Sequence, residues 1–111
     1  MAYSKSLAER VRHLIGRQRG LTEKRMFGGI GFLLYGNLVV AVWLDSLIVR
    51  LGIEAANEAM EEPYVKPFDL TGKAMKGWAM IEADGVDCDH QLESWIQRAV
   101  AFVRTLDPKM E

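Results

Sequence analysis

Basic side chains near aromatic residues are the strongest candidates for chemistry in this sequence. Arg25 and Arg50 both lie in short segments rich in β-forming residues. A guanidinium group held beside an aromatic ring can receive a carboxylate or a phosphate. The same group can pair with an acidic residue, or lie along apolar surface with its charged end in water. We prefer these structural interpretations, and keep an anion site formed by Arg25, Arg50 and Lys76 as the alternative.

A second basic pair lies in a stretch that ends in glycine. Lys73 and Lys76 are flanked by Gly72 and Gly77. A phosphate-binding P-loop needs an earlier glycine at a fixed spacing and a Ser or Thr directly after its lysine. The stretch lacks both, so residues 71–73 are predicted to be a turn between strands.

Acidic residues surround the single cysteine. Asp84, Asp87, Asp89 and His90 lie close to Cys88, but their spacing matches neither a calcium loop nor a zinc site. Asp87 or Asp89 is better explained as the N-cap of a helix. Neighbouring carboxylates also disfavour a thiolate. We therefore predict no metal site and no cofactor.

Motifs for catalysis are missing from the sequence. His13 has no serine, cysteine or carboxylate motif that would make it a general base. The sequence contains no nucleophile elbow, no HExxH motif and no dinucleotide fingerprint. We predict no catalytic residues and expect a protein that is not an enzyme.

Size and charge restrict the class of protein. The 111 residues suffice for a single domain with one core, and a net charge of −1 provides no general attraction for nucleic acid. Direct nucleic-acid binding is therefore not expected, and the arginines of the first helix are interpreted as a solvated face. One cysteine, no apolar leader and no long apolar run predict a cytoplasmic protein that does not enter a membrane.

Periodicity and turn residues predict an α+β fold with two layers. An antiparallel sheet, made of a four-strand meander and two further strands, is expected to pack against an N-terminal and a C-terminal helix. The first helix is predicted from Ser4 or Ser6 to Gln18, with Ser6 to Glu9 as a capping box. The remaining predicted elements are strands at 24–27, 30–35, 38–44 and 47–51, a short helix at 53–60 with Ile53, Ala56 and Met60 facing inward, strands at 65–70 and 76–82, and a last helix at 89–106.

Two-residue turns at Gly28-Gly29, Gly36-Asn37 and Asp45-Ser46 would fix the register of the meander. The face expected under the helices, the core face, then contains Leu33, Tyr35, Leu38, Val40, Val42, Leu44, Leu47, Val49 and Leu51. The opposite face, called here the second face, contains Phe27, Ile30, Phe32, Leu34, Val39, Ala41, Trp43 and Ile48 together with Arg25 and Arg50. A sheet face with this many apolar side chains is expected to be shielded from water by another group, called here its cover.

Three covers for the second face stay open: the short second helix or a crossing C-terminal segment of the same chain, a second subunit, or a ligand. In this register Arg50 lies diagonal to Trp43 and Arg25 lies opposite Phe32. We expect a homodimer or an unknown protein partner on this face. The candidate ligand or interface residues are Arg25, Phe27, Phe32, Trp43, Ile48, Arg50, Lys73 and Lys76.

The sequence resembles the N-terminal domain of the TfoX/Sxy family at several places. The likeness begins at residues 25–32, where an arginine precedes Met-Phe-Gly-Gly and an apolar strand. It continues at Leu47 to Arg50, at Phe68 to Trp78, and at Leu92 to Ile96 where the last helix starts.

The resemblance implies a small two-layer α+β domain and a regulatory role. Named members of the family regulate bacterial competence genes and join this domain to a second, helical one. Because this sequence ends at Glu111, we expect a single module spanning residues 1–111. The family offers no catalytic residues to transfer to these positions.

Overall fold

A computed structural model describes residues 3–26, 28–69 and 74–107 of the chain. The described residues form three helices, α1 (Lys5–Ile15), α2 (Ile53–Ala59) and α3 (Asp89–Val103), and a short 3-10 turn at Ala83–Gly85. The strands are β1 (Leu21–Met26), β2 (Gly29–Leu34), β3 (Asn37–Trp43), β4 (Ser46–Arg50), β5 (Val65–Asp69) and β6 (Ala74–Ile81). The predicted turn at residues 71–73 lies outside the described residues.

The strands form one antiparallel sheet in the order β1-β2-β3-β4-β6-β5. The four-strand meander is therefore confirmed, and so is the α+β class. After β4 the chain crosses the sheet through α2 and reaches the far edge as β5. β6 then returns between β5 and β4, so that residues distant in sequence become neighbours.

The β2–β3 turn lies one residue earlier than predicted. Leu34 pairs with Asn37, which leaves Tyr35 and Gly36 as the turn residues. Both have positive φ, 49° for Tyr35 and 83° for Gly36, as a type I′ turn requires. The β3–β4 turn is displaced in the same way, because Trp43 pairs with Ser46.

A β-bulge then reverses the predicted faces of β2. Leu33 pairs with Leu38 but Phe32 pairs with Val40, so Val39 is the extra residue. A bulge changes which side chains share a face, since the side-chain period of a strand is two. The predicted second-face residues that in fact belong to the core under the helices are Ile30, Phe32, Leu34 and Val39.

The predicted core face was also wrong at four positions, two because of the bulge and two because of the displaced turns. Leu33 and Leu38 are half-buried on the second face. A Cβ added at Gly31 would meet the Leu38 side chain, so position 31 faces the same side of the sheet. Tyr35 and Leu44 are turn residues, 47% and 52% exposed. The remaining predicted members are buried in the core: Val40, Val42, Leu47, Val49 and Leu51.

All three helices pack on the core face. α3 contacts β3, β4 and α1, whereas α2 contacts β6. The predicted stripe of α3 is confirmed, with Leu92, Trp95, Ile96, Ala99 and Val103 buried and Leu106 half-buried. In α2, Ala56 is buried and Met60 is half-buried against the core, as predicted, but Ile53, the first residue of the helix, is 58% exposed and does not face inward.

The helix ends also differ from the predicted caps. The Ser4 hydroxyl accepts the N–H of Leu7, so Ser4 caps α1 instead of Ser6. α1 ends at Ile15 because Gly16, with φ 72° and ψ −161°, leaves helical geometry. Cys88 is the N-cap of α3, and its backbone N–H donates to the side-chain carbonyl of Gln91.

Candidate functional site

The sequence-predicted site residues do not form one site. Phe32 is fully buried in the core under the helices, and Ile48 is fully buried on the second face. Arg25 pairs with Ile30 on the edge strand β1, so its side chain belongs to the helix-covered side of the sheet. Phe27 and Lys73 lie outside the described residues. The expected contact of Arg25 with the aromatic second face is therefore wrong.

An aromatic row covers the centre of the second face. Ala41, Ile48 and Phe68 are buried there, and the half-buried Trp43 and Trp78 pack against them. The Phe68 ring lies between the two indoles, with centroid distances of 6.5 Å to Trp43 and 6.4 Å to Trp78. These edge and tilted arrangements suit the aromatic quadrupole.

Phe68 is the cover that sequence reasoning missed. It comes from the edge strand β5, where the register with β6 shifts between Pro67 and Asp69. Because Lys66 pairs with Met80, regular alternation along β5 places Phe68 on the second face, where the chain itself buries Ile48. Lys66 and Phe68 are two residues apart, which predicts that their side chains share one face of β5. Nothing in the local sequence indicates which strands β5 and β6 pair with.

Arg50 contacts a different tryptophan from the one predicted. It is paired with Trp78 across β4 and β6, and its guanidinium carbon lies 5.4 Å from the centroid of the Trp78 ring. The predicted diagonal contact with Trp43 is replaced, because the strand that neighbours β4 on this side is β6.

The end of β4 is held by two glycines. The backbone carbonyl of Gly77 accepts the N–H groups of both Leu51 and Gly52, at 2.9 and 3.1 Å. Gly77 and Gly52 have φ values of 87° and 88°, where other residues are strained. A Cβ on Gly52 would lie 2.7 Å from the Phe102 ring. Glycine therefore allows Phe102 of α3 to pack against the chain where β4 passes into α2.

These elements enclose an open groove of about 610 Å³, called here the Arg50 groove. Two predicted site residues, Arg50 and Lys76, both line it. The third member of the predicted anion site, Arg25, does not. The other lining residues are Leu51, Gly52, Ile53, Glu54, Ala55, Gly77, Trp78 and Phe102.

Two arginines of α1 lie on a partly exposed face, as expected, and in addition bind residues of other elements. Arg10 donates to the backbone carbonyls of Val86 and Asp87 and pairs with the Asp89 carboxylate at 3.1 Å. This contact fastens α1 to the start of α3. The run of arginines in the first helix gave no indication of such a distant partner.

Arg12 forms the second tie, a two-point ion pair with Glu23 of β1. Its Nε and Nη2 atoms donate to the Glu23 carboxylate at 2.6 and 2.8 Å. These hydrogen bonds lower the pKa of Glu23, although partial burial acts in the opposite direction. They also raise the pKa of Arg12.

Acidic residues next to Cys88 bind Arg10 at the start of α3. The Asp87 carbonyl and the Asp89 carboxylate bind Arg10, and Cys88 is an exposed free thiol. Within residues 3–26, 28–69 and 74–107, no group of three or more His, Cys, Asp or Glu side chains has the arrangement of a metal site. In the same part of the chain, none of the helices has the length and apolarity to cross a membrane.

Comparison with known proteins identifies the family. Neither the curated proteins nor the solved structures gave a match. A family model for the TfoX N-terminal domain matches residues 13–103, which run from α1 to the end of α3 and include the aromatic row and the Arg50 groove. The chain therefore belongs to the TfoX N-terminal domain family.

Proposed function

We propose that this protein is a non-enzymatic bacterial regulatory module that binds another protein through the second face of its sheet. Family membership supports a regulatory role connected with competence or transcription. The observation that carries the proposal is the composition of the face that the described helices leave uncovered. Trp43, Trp78 and Met80 are half-buried there around a fully buried centre.

Such a surface has the features of a protein interface. Tryptophan, methionine and arginine are enriched at interfaces, where a buried centre is surrounded by partly accessible side chains. The rigid aromatic row loses little conformational entropy when a partner packs against it. Arg50, fixed on the Trp78 ring, adds a charged group at the edge of the same surface.

Self-association through this face stays a prediction. The expectation of a homodimer came from a second face that was apolar throughout and had to be covered. Because Phe68 buries Ile48 within one chain, no second subunit is needed to cover the centre of the face, and a dimer would add burial only at the half-buried rim formed by Trp43, Trp78 and Met80. Sedimentation of the purified protein tests it: a dimer that Trp43→Glu dissociates would support this prediction, and a monomer at all concentrations would contradict it.

Partner binding is tested by affinity capture from the native cell. Trp43→Glu and Met80→Glu each place a carboxylate on the second face, whereas Leu44→Glu places one at the 52% exposed turn. Circular dichroism first verifies that each variant is folded. We expect wild type and Leu44→Glu to retain a partner that both face variants lose.

Hydrogen exchange of the purified complex provides a second readout. Binding should protect amides of β3, β4 and β6 more than those of α1. Equal capture by all four proteins, or protection confined to the helices, would contradict the proposal.

We also propose a cytoplasmic location, since the exposed free thiol of Cys88 suits a reducing compartment.

A further inference from the structure

The Arg50 groove has the size and lining of a small-molecule site. Its volume of about 610 Å³ falls within the usual range of roughly 300–1,000 Å³ for ligand pockets. Apolar surface is supplied by Trp78 of β6, Phe102 of α3 and Ile53 of α2. Ile53 is 58% exposed, so its side chain is accessible to a ligand in the groove.

The charges in the groove are unbalanced. Arg50 and Lys76 line it, and neither forms an ion pair with any residue that the structure describes. Glu54 is the one acidic residue among the lining residues. Two cations and one carboxylate leave one positive charge, which matches a ligand with a single negative charge better than a doubly charged phosphate.

Arg50 is already oriented for such a ligand. Its guanidinium lies on the Trp78 ring, which restricts the side chain before any ligand arrives. A planar guanidinium can donate two parallel hydrogen bonds to a carboxylate. A guanidinium plane can also stack against a flat ring, so Arg50 can contact both the charged group and the ring of one ligand.

We propose that the Arg50 groove binds a small organic monoanion, a carboxylate attached to a flat apolar body. Arg50 and Lys76 bind the carboxylate, and the body packs against Trp78, Phe102 and Ile53. The groove shares Arg50 and Trp78 with the edge of the second face, but ligand binding there does not depend on the proposed protein partner. Arg25, which the sequence placed in an anion site, has no part in it.

Indole-3-acetate is the probe, and indole-3-acetamide is its matched neutral control. Binding to the isotope-labelled full chain is followed by amide chemical shifts, particularly those of Gly52 and Gly77 in the groove wall. We expect saturable shifts with a Kd on the order of 1 mM for the acetate. The acetamide should bind about tenfold more weakly, because it lacks the charge-assisted hydrogen bonds.

Variants separate the groove from general attraction by positive charge. Arg50→Gln and Lys76→Gln together should weaken acetate binding about tenfold, to the level of the acetamide. Lys24→Gln and Arg25→Gln, which remove two exposed cations from β1, should leave acetate binding unchanged. Ile53→Ser should weaken both ligands equally, since it removes apolar contact and no charge.

Four results would each overturn the proposal. One is equal binding of acetate and acetamide by wild type. A second is a set of chemical-shift changes that excludes Gly52 and Gly77. A third is a loss of acetate affinity in the variant with Lys24→Gln and Arg25→Gln that equals the loss in the variant with Arg50→Gln and Lys76→Gln. Tighter binding of inorganic phosphate than of indole-3-acetate would also reject a monoanion with an apolar body. None of these measurements needs a protein partner, so failure here leaves the proposed interaction module to its own test.

Discussion

The guanidinium carbon of Arg50 lies 5.4 Å from the ring centroid of Trp78, its direct neighbour across β4 and β6. The two residues are brought together by the crossover through α2, which inserts β6 between β4 and β5. The pair forms one wall of the Arg50 groove and the edge of the aromatic row. A single cation–π contact therefore joins the two surfaces for which we propose functions.

This contact should be measurable by a double-mutant cycle. Arg50→Met and Trp78→Leu each remove one partner while keeping apolar volume on the strand. We expect a coupling free energy of about 0.5–1 kcal/mol from urea unfolding of the two single variants and the double variant. Additive effects would show that the pair is close without being coupled.

Phe68 should be essential for stability. Its ring is 2% exposed and covers Ile48 and Ala41, both at 0%. Phe68→Ala is expected to lower the free energy of unfolding by about 3–5 kcal/mol, since it removes a buried ring and uncovers its neighbours. Ile53→Ala, at a 58% exposed position, is the control and should change stability by less than about 0.5 kcal/mol. A loss below about 1 kcal/mol for Phe68→Ala would mean that another group covers the face.

Gly52 should tolerate alanine less well than Gly16 does. Both have similar backbone angles, φ 88° and ψ 159° for Gly52 and φ 72° and ψ −161° for Gly16, where alanine costs about 1–3 kcal/mol. A Cβ on Gly52 would also meet the Phe102 ring, whereas one on Gly16 has no atom within 4 Å. We expect thermal unfolding to show an additional loss of about 1 kcal/mol for Gly52→Ala. Equal losses would show that Phe102 can move aside at no cost.

The Arg12–Glu23 pair should contribute to stability in a pH-dependent way. The hydrogen bonds from Arg12 lower the pKa of Glu23 in the folded protein. Its stabilising effect is therefore complete above the usual glutamate pKa of about 4.3, and is lost as the pH falls through the lower folded value. Both side chains are substantially exposed, at 46% and 34%, so the effect should be about 0.2–1 kcal/mol.

Glu23→Gln provides the measurement. At neutral pH it should unfold at a lower urea concentration than wild type, and the difference should disappear in acid, where wild-type Glu23 is protonated. Glu58→Gln, at an exposed position of α2, should match wild type throughout. A difference that increases toward acid pH would contradict this assignment of the pair.

Local signals in the sequence were sufficient for most elements. The hydrophobic stripe of α3 and the alternation of apolar residues with turns correctly predicted one helix and the four-strand meander. The motifs at residues 25–32 and 68–78 indicated the family, and the match over residues 13–103 confirmed it. These features depend on near neighbours along the chain, so a single sequence records them.

Residue placement in the candidate site was predictable only in part. Trp43, Ile48 and Arg50 do lie on the second face, because the regular β3–β4 hairpin keeps alternate side chains on one side. Phe32 was assigned to the wrong face, since the bulge at Val39 reverses the alternation between β2 and β3. Turn residues gave no sign of that bulge.

The sequence by itself determined the helices, the meander and the family. Tertiary structure alone decided that β6 lies beside β4, that Phe68 covers Ile48, and that Arg50 meets Trp78 and Lys76 in one groove. The physical reason is that a strand's own residues specify its periodicity but not its neighbour. Neighbours and bulges are selected by how well both faces of the completed sheet are packed.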